Sequence, residues 1–419
     1  MILLALLVAS PIPSYGGELV ALSLTRPRIV DPASAAALTE TTVTRSVFET
    51  LYERQAGALV PVLASGAPIV DGTRLEIPLR AGVRLHDGSV LSTGDVAEAL
   101  LRLQKTDAQD LIADARAIAA TQETIRVEVS GRAETFVEKL ADPRASIAVR
   151  RASTLIGTGP FRPVGSTPSA LTLEAFSLHR EGRPFVDRLS IWSGASAIGA
   201  RAMLRRGRAD LLIDGDGRQA DVLYVLVAPM LSRDPSRLEA LSAAIPRELI
   251  CRRFVEGGRP VSTLLLALES QGAGRLELPA TRLLFTDDRG RIRELVDRVQ
   301  LDLVRAGIPA TATMIDPEAL DARRRERAPS LILDVMALRK GPPLERLRAI
   351  AARYGAMGSF DASRPIAELE RALRVVGGLV PIAMRSTGTE VSGELEGFEV
   401  DDSGAPRFED VRLPSARAR

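Results

Sequence analysis

The 419-residue chain has one cysteine, Cys251, and two histidines, His86 and His179. A single thiol excludes an internal disulfide framework and any multi-cysteine zinc site, and Cys251 reads as a small buried hydrophobe. The two histidines stand far apart, with no cysteines or paired carboxylates at ligand spacing, so no metal site and no cofactor is expected. Aromatic residues make up only 4% of the chain. That argues against a cleft that stacks sugars or bases, and leaves Trp192, Tyr224 and Tyr354 as the aromatics able to reach one. Lysine stands only at 105, 139 and 340, so the basic charge is almost entirely arginine. With 55 basic and 53 acidic residues mixed along the chain, the formal net charge is +2. There is no electrostatic footprint for nucleic acid.

Long apolar runs are also missing. The first residues, Ile2, Leu3, Leu4, Leu6, Leu7 and Val8, form a short hydrophobic stretch ended by Pro11 and Pro13 and followed by Ser14, Tyr15 and Gly16. A bilayer span takes about 20 apolar residues, so this stretch reads as a removable export signal over residues 1–16. No cysteine follows to carry a lipid, and the mature chain is expected to be soluble and periplasmic. Its length points to two or three domains. With 46% hydrophobic and 26% charged residues, the composition is that of an ordinary globular protein.

Between Thr73 and Arg80, Leu75, Ile77 and Leu79 alternate with charged residues, the period of a half-buried strand. Pro78 lacks an N–H, so an edge position is expected. Turns follow at Gly82 and Asp87-Gly88. Ser92 and Asp95 then make a capping box, with Val96, Leu100 and Leu103 on one helical face. Val222 to Val227 reads as a strand, and Arg237 to Arg253 as a helix that Pro246 must start or kink. From Thr281 the chain reads strand (281–286), helix (Ile292 to Gly307), strand (308–315), helix (Asp316-Pro317 to about Arg327) and strand (Leu331 to Val335). That order is the grammar of an α/β sheet. The tail from Val380 to Leu413 reads as short alternating pieces.

Several chemistry-bearing patterns are incomplete. Asp214-Gly-Asp216-Gly217 lacks the later acids of a calcium loop and reads as a tight turn. Gly157-Thr-Gly159-Pro160 lacks the lysine and helix of a phosphate cradle and reads as a turn between lobes. No G-x-S-x-G elbow is present, and neither histidine stands beside a nucleophile, so no catalytic residues are assigned. Arg323-Arg324-Arg325 with Arg327 reads as a solvated helix end.

Laid out in order, these residues resemble the extracytoplasmic solute-binding protein family 5, which serves peptide and nickel importers. Leu79-Arg-Ala-Gly-Val-Arg-Leu-His-Asp-Gly88 followed by Leu91-Ser-Thr-Gly-Asp-Val96 carries the strongest likeness. Asp31-Pro32, Val47 to Tyr52, Leu63-Ala64, Asp71-Gly72, Gly157 to Phe161 and Arg206 to Asp210 fall in the family's order. The resemblance implies an α/β, two-lobed binding-protein fold with mixed sheets flanked by helices and an extra N-terminal subdomain at about 41–150. Lobe 1 is expected at 17–245, an abbreviated lobe 2 at 246–376, and a return to lobe 1 at 377–419. It also implies a monomeric importer component that takes a peptide-like or other small solute and passes it to permease and ATPase subunits. His86, Asp87 and Gly88, with Gly157, Gly159 and Pro160, are then structural, and His86 is expected to hold a turn by a hydrogen bond.

One departure bears on the solute. The family's W-x-x-D-Y-x-D-P loop is replaced by Met336-Ala-Leu-Arg-Lys-Gly-Pro-Pro343, which sets Arg339 where peptide binders hold the ligand's amine with an aspartate. A guanidinium there would repel an amine and favour a carboxylate. Arg339, Met336, Lys340, Asp334 and Ser34 are therefore the expected ligand contacts. The alternative is a sensory or interaction protein that kept the fold with a reduced second lobe. A hydrolase of unknown type is a third reading.

Overall fold

Two long antiparallel strands, Leu211–Val227 and Leu379–Val391, run side by side for nearly their full length. Their register shifts between Leu212, Gly215 and Ala220, and the neighbours on the far side of the first strand change at the same place. Before the shift, Leu211 and Leu212 pair with Ala21 and Leu22 of the strand Glu18–Leu22. Arg188–Trp192, Ala170–Ala175 and Phe161–Thr167 complete that side. After the shift, residues 220–227 pair with the strand Leu331–Arg339, which runs parallel to Thr281–Phe285, itself parallel to Ala310–Met314. The computed structural model describes residues 15–55, 58–265, 276, 278–286, 292–325, 329–393, 395–401 and 404–413. Residues 1–14 of the expected export signal lie outside them.

The continuous sheet serves two lobes because its side chains enter separate cores. In the first lobe, Leu19, Leu173, Leu189, Ile191 and Leu211 pack with Val43 and Val47 of the helix Leu38–Val47 and with Phe408 and Val411 of the tail. In the second, one face meets Leu241, Ile250, Cys251, Leu295 and Val299. The other meets Leu347, Ile350, Leu369 and Leu373. Each fully buried Leu or Ile contributes roughly 1.5–3 kcal/mol, so helices on both faces make this half self-supporting. Cys251 lies in that core as expected, and burial pushes its thiol up to about 11.

The N-terminal subdomain has its own core around an antiparallel sheet ordered Ile69–Asp71, Arg74–Pro78, Thr124–Val129, Ala115–Ala120. The helix Thr93–Arg102 closes it. Ser92 caps that helix as expected, its hydroxyl accepting from the Asp95 amide at 3.1 Å while Asp95 accepts from the Ser92 amide at 3.0 Å. The edge position expected for Arg74–Pro78 is wrong for the strand and right for its proline. The strand lies inside the sheet, but the short neighbour stops opposite Glu76, and beyond it Pro78 meets only an isolated bridge, its carbonyl accepting from the Ser65 amide at 2.9 Å while its ring nitrogen needs no acceptor.

Other expectations change where pairing overrides local pattern. Pro246 separates two helices, Pro235–Ala243 and Arg247–Phe254, in place of one. Both pack with Leu283 and Val296 in the second core, so no change of core occurs at residue 245. The strand expected to end at Val335 continues to Arg339, held by Leu223 opposite Met336 and Ala220 opposite Arg339. The tail opens with a 13-residue strand, not short pieces, and Asp214 to Gly217 is strand, not turn.

A cleft between the lobes

The expected ligand residues scatter. Asp334 is 1% exposed, and its carboxylate takes Arg324 Nη1 at 3.1 Å, Arg353 Nε at 3.0 Å and the Tyr354 hydroxyl at 3.1 Å. It is committed to protein partners. Tyr354 is buried with it, which keeps this aromatic out of the cleft, and burial raises its phenol far above its ordinary value. Met336 packs against Leu223 and Leu347. Lys340 is exposed and paired to Asp221 at 2.6 Å. Ser34 is half-buried in a 3-10 turn whose cap is Asp31. The Arg339 backbone ends the strand, and its side chain lies outside the described residues. Arg324, expected on a solvated helix end, is also buried. A run of arginines hides which one turns inward.

A cavity of about 1250 Å³ opens between the lobes where the two long strands cross. Val222, Tyr224, Val335, Ala337 and Arg385 form its floor, directly opposite one another in register and hence on one face of the sheet. Arg385 Nε donates to the Tyr224 hydroxyl at 3.3 Å. The first lobe adds Thr25, Arg28, Leu38 and Asp214. Asp214 Oδ2 accepts from Ser23 and Thr39 at 2.7 Å and Thr25 at 3.3 Å. The second lobe adds Phe254, Thr286, Arg293 and Met314. At the rim, Arg201 reaches across the lobes to Glu256 at 3.5 Å. A floor that sets Val222, Val335 and Ala337 beside Tyr224 and Arg385, with further hydrogen-bonding groups around it, suits a small polar solute. Of these residues only Tyr224 was named from sequence as a cleft residue. Arg385 carried no signal, because it lies in a stretch that reads as tail.

A second cavity of about 690 Å³ lies beyond, bordered by Met336, Leu338 and Lys340 and by Asp110, Lys139 and Arg144 of the subdomain. Leu38 and Ala337 line both cavities. Between them the Ala337 amide donates to the Ala36 carbonyl at 2.5 Å. The cleft is thus divided by the chain's own backbone.

None of the structural-motif residues lines either cavity. The His86 amide donates to the Gly157 carbonyl and its Nε2 to the Gly159 carbonyl, both at 2.9 Å, and its ring meets Phe176 edge-on. Burial holds the imidazole below its ordinary pKa, and the Gly159 bond partly offsets this. Asp87 fixes the turn by accepting from the Ser89 amide at 2.9 Å, and Gly88 has φ +86°. The Gly157 to Pro160 segment does not turn between the lobes. It lies against the end of the helix Leu38–Val47, so close that a Cβ at Gly157 would fall 1.9 Å from the Val47 carbonyl oxygen.

Known proteins resemble the chain in part of its sequence and in its fold. Residues 58–235 match the model of bacterial extracellular solute-binding proteins, family 5. The fold aligns with DppA from Helicobacter pylori in complex with peptide STSA at a TM-score of 0.70 and 15% identity, over 96% of this chain and 98% of that one. That family match takes in less than half of the chain. The chain also aligns with MoaA from A. tumefaciens R10 in complex with mannopinic acid, at a TM-score of 0.69 and 15% identity over 96% of this chain and 100% of that one. Such identities speak for the fold alone. Among curated proteins, the HTH-type transcriptional regulator SgrR of Escherichia coli K12 is 26% identical over 170 residues, 38% of this chain. That alignment spans 30% of the regulator's length. Among the described residues, no helix is long and apolar enough to cross a membrane, and no cluster of three or more metal-ligating side chains occurs.

Proposed function

We propose that this chain is a family 5 solute-binding protein, the exported solute-capturing component of an importer driven by ATP hydrolysis, taking a peptide-like or other small solute between its lobes and handing it to a permease. The observation that carries this reading is the 1250 Å³ cavity walled by residues of both lobes where two strands cross. A solute touching both walls binds only when they close, so binding and closure are linked. We place the crossings at residues 216–219 and about 387–388, which assigns 220–245 to the second lobe. Monomeric state, export and the lack of any catalytic step belong to the same proposal.

Native mass spectrometry of the protein purified from its host tests this by identifying a co-purified solute. That solute should raise Tm, and Val222→Trp, which fills the floor, should abolish the shift. A solute whose effect survives Val222→Trp would place the site elsewhere. The partial likeness to a transcriptional regulator favours a second reading, in which the same cleft senses a solute without delivering it. Capture of the chain by permease subunits in membranes, dependent on the solute, would decide for transport.

A further inference from the structure

Asp107 belongs to the N-terminal subdomain, in the turn between Lys105 and the 3-10 segment Gln109–Leu111. It is 4% exposed, and its carboxylate faces two guanidiniums of the second lobe. These two reach it across the lobe boundary. Arg324 Nη2 hydrogen-bonds Asp107 Oδ2, and Arg353 Nη1 lies 3.7 Å from the same oxygen. On their other sides both guanidiniums engage Asp334, Arg353 through two bonds of 3.0 and 3.1 Å. Arg324 Nε also donates to the Arg353 carbonyl at 3.1 Å, and Asp321 lies 3.1 Å from Arg324 Nη1. The helix Pro343–Arg353 packs on the 3-10 segment Gln109–Leu111 that follows Asp107. The Arg353 guanidinium, which burial alone would push down, is held well above its ordinary pKa by Asp334 and its neighbours.

The charge balance gives this cluster a direction. Two buried guanidiniums face one fully buried carboxylate of their own lobe, Asp334, and one partly exposed carboxylate, Asp321. Asp107 adds a buried negative charge from the other lobe, and it meets these guanidiniums only when the lobes meet. Removing one partner of such a buried set leaves an uncompensated charge and is strongly unfavourable. Being out of water, the contact is also little screened by salt. The Ala36–Ala337 backbone bond reinforces it nearby.

We propose that Asp107, Arg324, Arg353 and Asp334 form an ionic latch that keeps the lobes shut without solute, so that solute enters through transient opening. This rests on the two-lobed fold and not on the transport reading. In a Cys251→Ala background, spin labels at the exposed positions Glu98 and Arg371, introduced as Glu98→Cys and Arg371→Cys, report the distance between subdomain and second lobe by electron–electron resonance. Protein stripped of solute by unfolding and refolding should give one short distance, unchanged in 1 M NaCl. Asp107→Ala should add a longer population, with the closed-to-open ratio falling at least tenfold. Asp107→Asn keeps the volume while removing the charge and should do the same if the alanine variant does not fold. Asp321→Asn, which lies within the second lobe, should leave the distances unmoved. Stripped wild type that is already open, or a folded Asp107→Asn protein with unaltered distances, would overturn the latch. Failure to find a permease partner would change none of these distances.

Discussion

The Ala337 amide donates to the Ala36 carbonyl at 2.5 Å, joining the second-lobe strand to the first-lobe segment before the helix Leu38–Val47. The N–H belongs to one lobe and its acceptor to the other, so its exchange with solvent reports lobe opening and not unfolding. The Ala337 amide should exchange faster than those of Leu223 and Val225 in the second core, and a bound solute should slow it more than theirs. Hydrogen exchange resolved to single residues checks this. Equal protection at all three positions would mean that the bond breaks only on global unfolding.

The same bond sets a limit on solute length. It stands between the 1250 Å³ and 690 Å³ cavities, and a long extended ligand would have to displace it. Calorimetric titration with a graded series of one solute class should show affinity rising while the ligand fills the larger cavity. It should then fall at least tenfold when the ligand must pass Ala36. A series that keeps gaining affinity would show that the division yields on binding.

Gly157 and Gly159 are required by packing. A Cβ at Gly159 would lie 2.6 Å from the Val47 carbonyl carbon, and at Gly157 closer still to its oxygen. Backbone on both sides cannot step aside as a side chain would, so Gly157→Ala or Gly159→Ala should cost at least about 3 kcal/mol in urea unfolding. Gly66→Ala, where nothing stands within 4 Å, should change stability by less than about 0.5 kcal/mol.

Stability should fall in two steps as pH drops. Burial depresses the folded pKa of His86 below 6.5, so between that value and the depressed one the unfolded chain binds more protons, and stability is lost as pH falls through this window. Glu49 acts lower. Burial alone would push its carboxyl up, but His179 and Arg180 at 3.3 and 2.8 Å hold it below 4.5, so its contribution is lost as pH falls beneath that point. His86→Ala should remove the upper step and cost about 1–2 kcal/mol at pH 7.5 by urea unfolding, with solute affinity unchanged. An unaltered pH profile in that variant would assign the upper step to another group.

The fold was legible where local pattern and tertiary role agree. The alternation of Leu75 and Ile77, the Ser92–Asp95 box and the order of elements after Thr281 each express a periodicity that a single segment satisfies by itself. The two long strands were not legible, because Asp214, Gly215 and Gly388 interrupt their apolar pattern at the crossing where register shifts. The site suffered most, since a cleft between lobes is assembled from residues far apart in sequence. Asp334 looked like a ligand contact because it sits beside the divergent segment, and only the arginines at 324 and 353 show what it does.

We propose Arg339 as the residue through which the divergent segment chooses its solute. Its backbone ends the strand opposite Ala220, and the flanking Leu338 and Lys340 border the smaller cavity. A guanidinium binds a carboxylate through two parallel N–H bonds, which a neutral solute cannot match. If Arg339 contacts the ligand, Arg339→Asp should weaken binding of an acidic solute at least tenfold while leaving a neutral analogue within about twofold, as read by titration calorimetry. Lys340→Ala serves as the comparison, because Lys340 is exposed and already paired with Asp221, and it should alter neither affinity appreciably. An Arg339→Asp protein that binds the acidic solute as the wild type does would remove this residue from the site and leave selection to the floor around Tyr224 and Arg385.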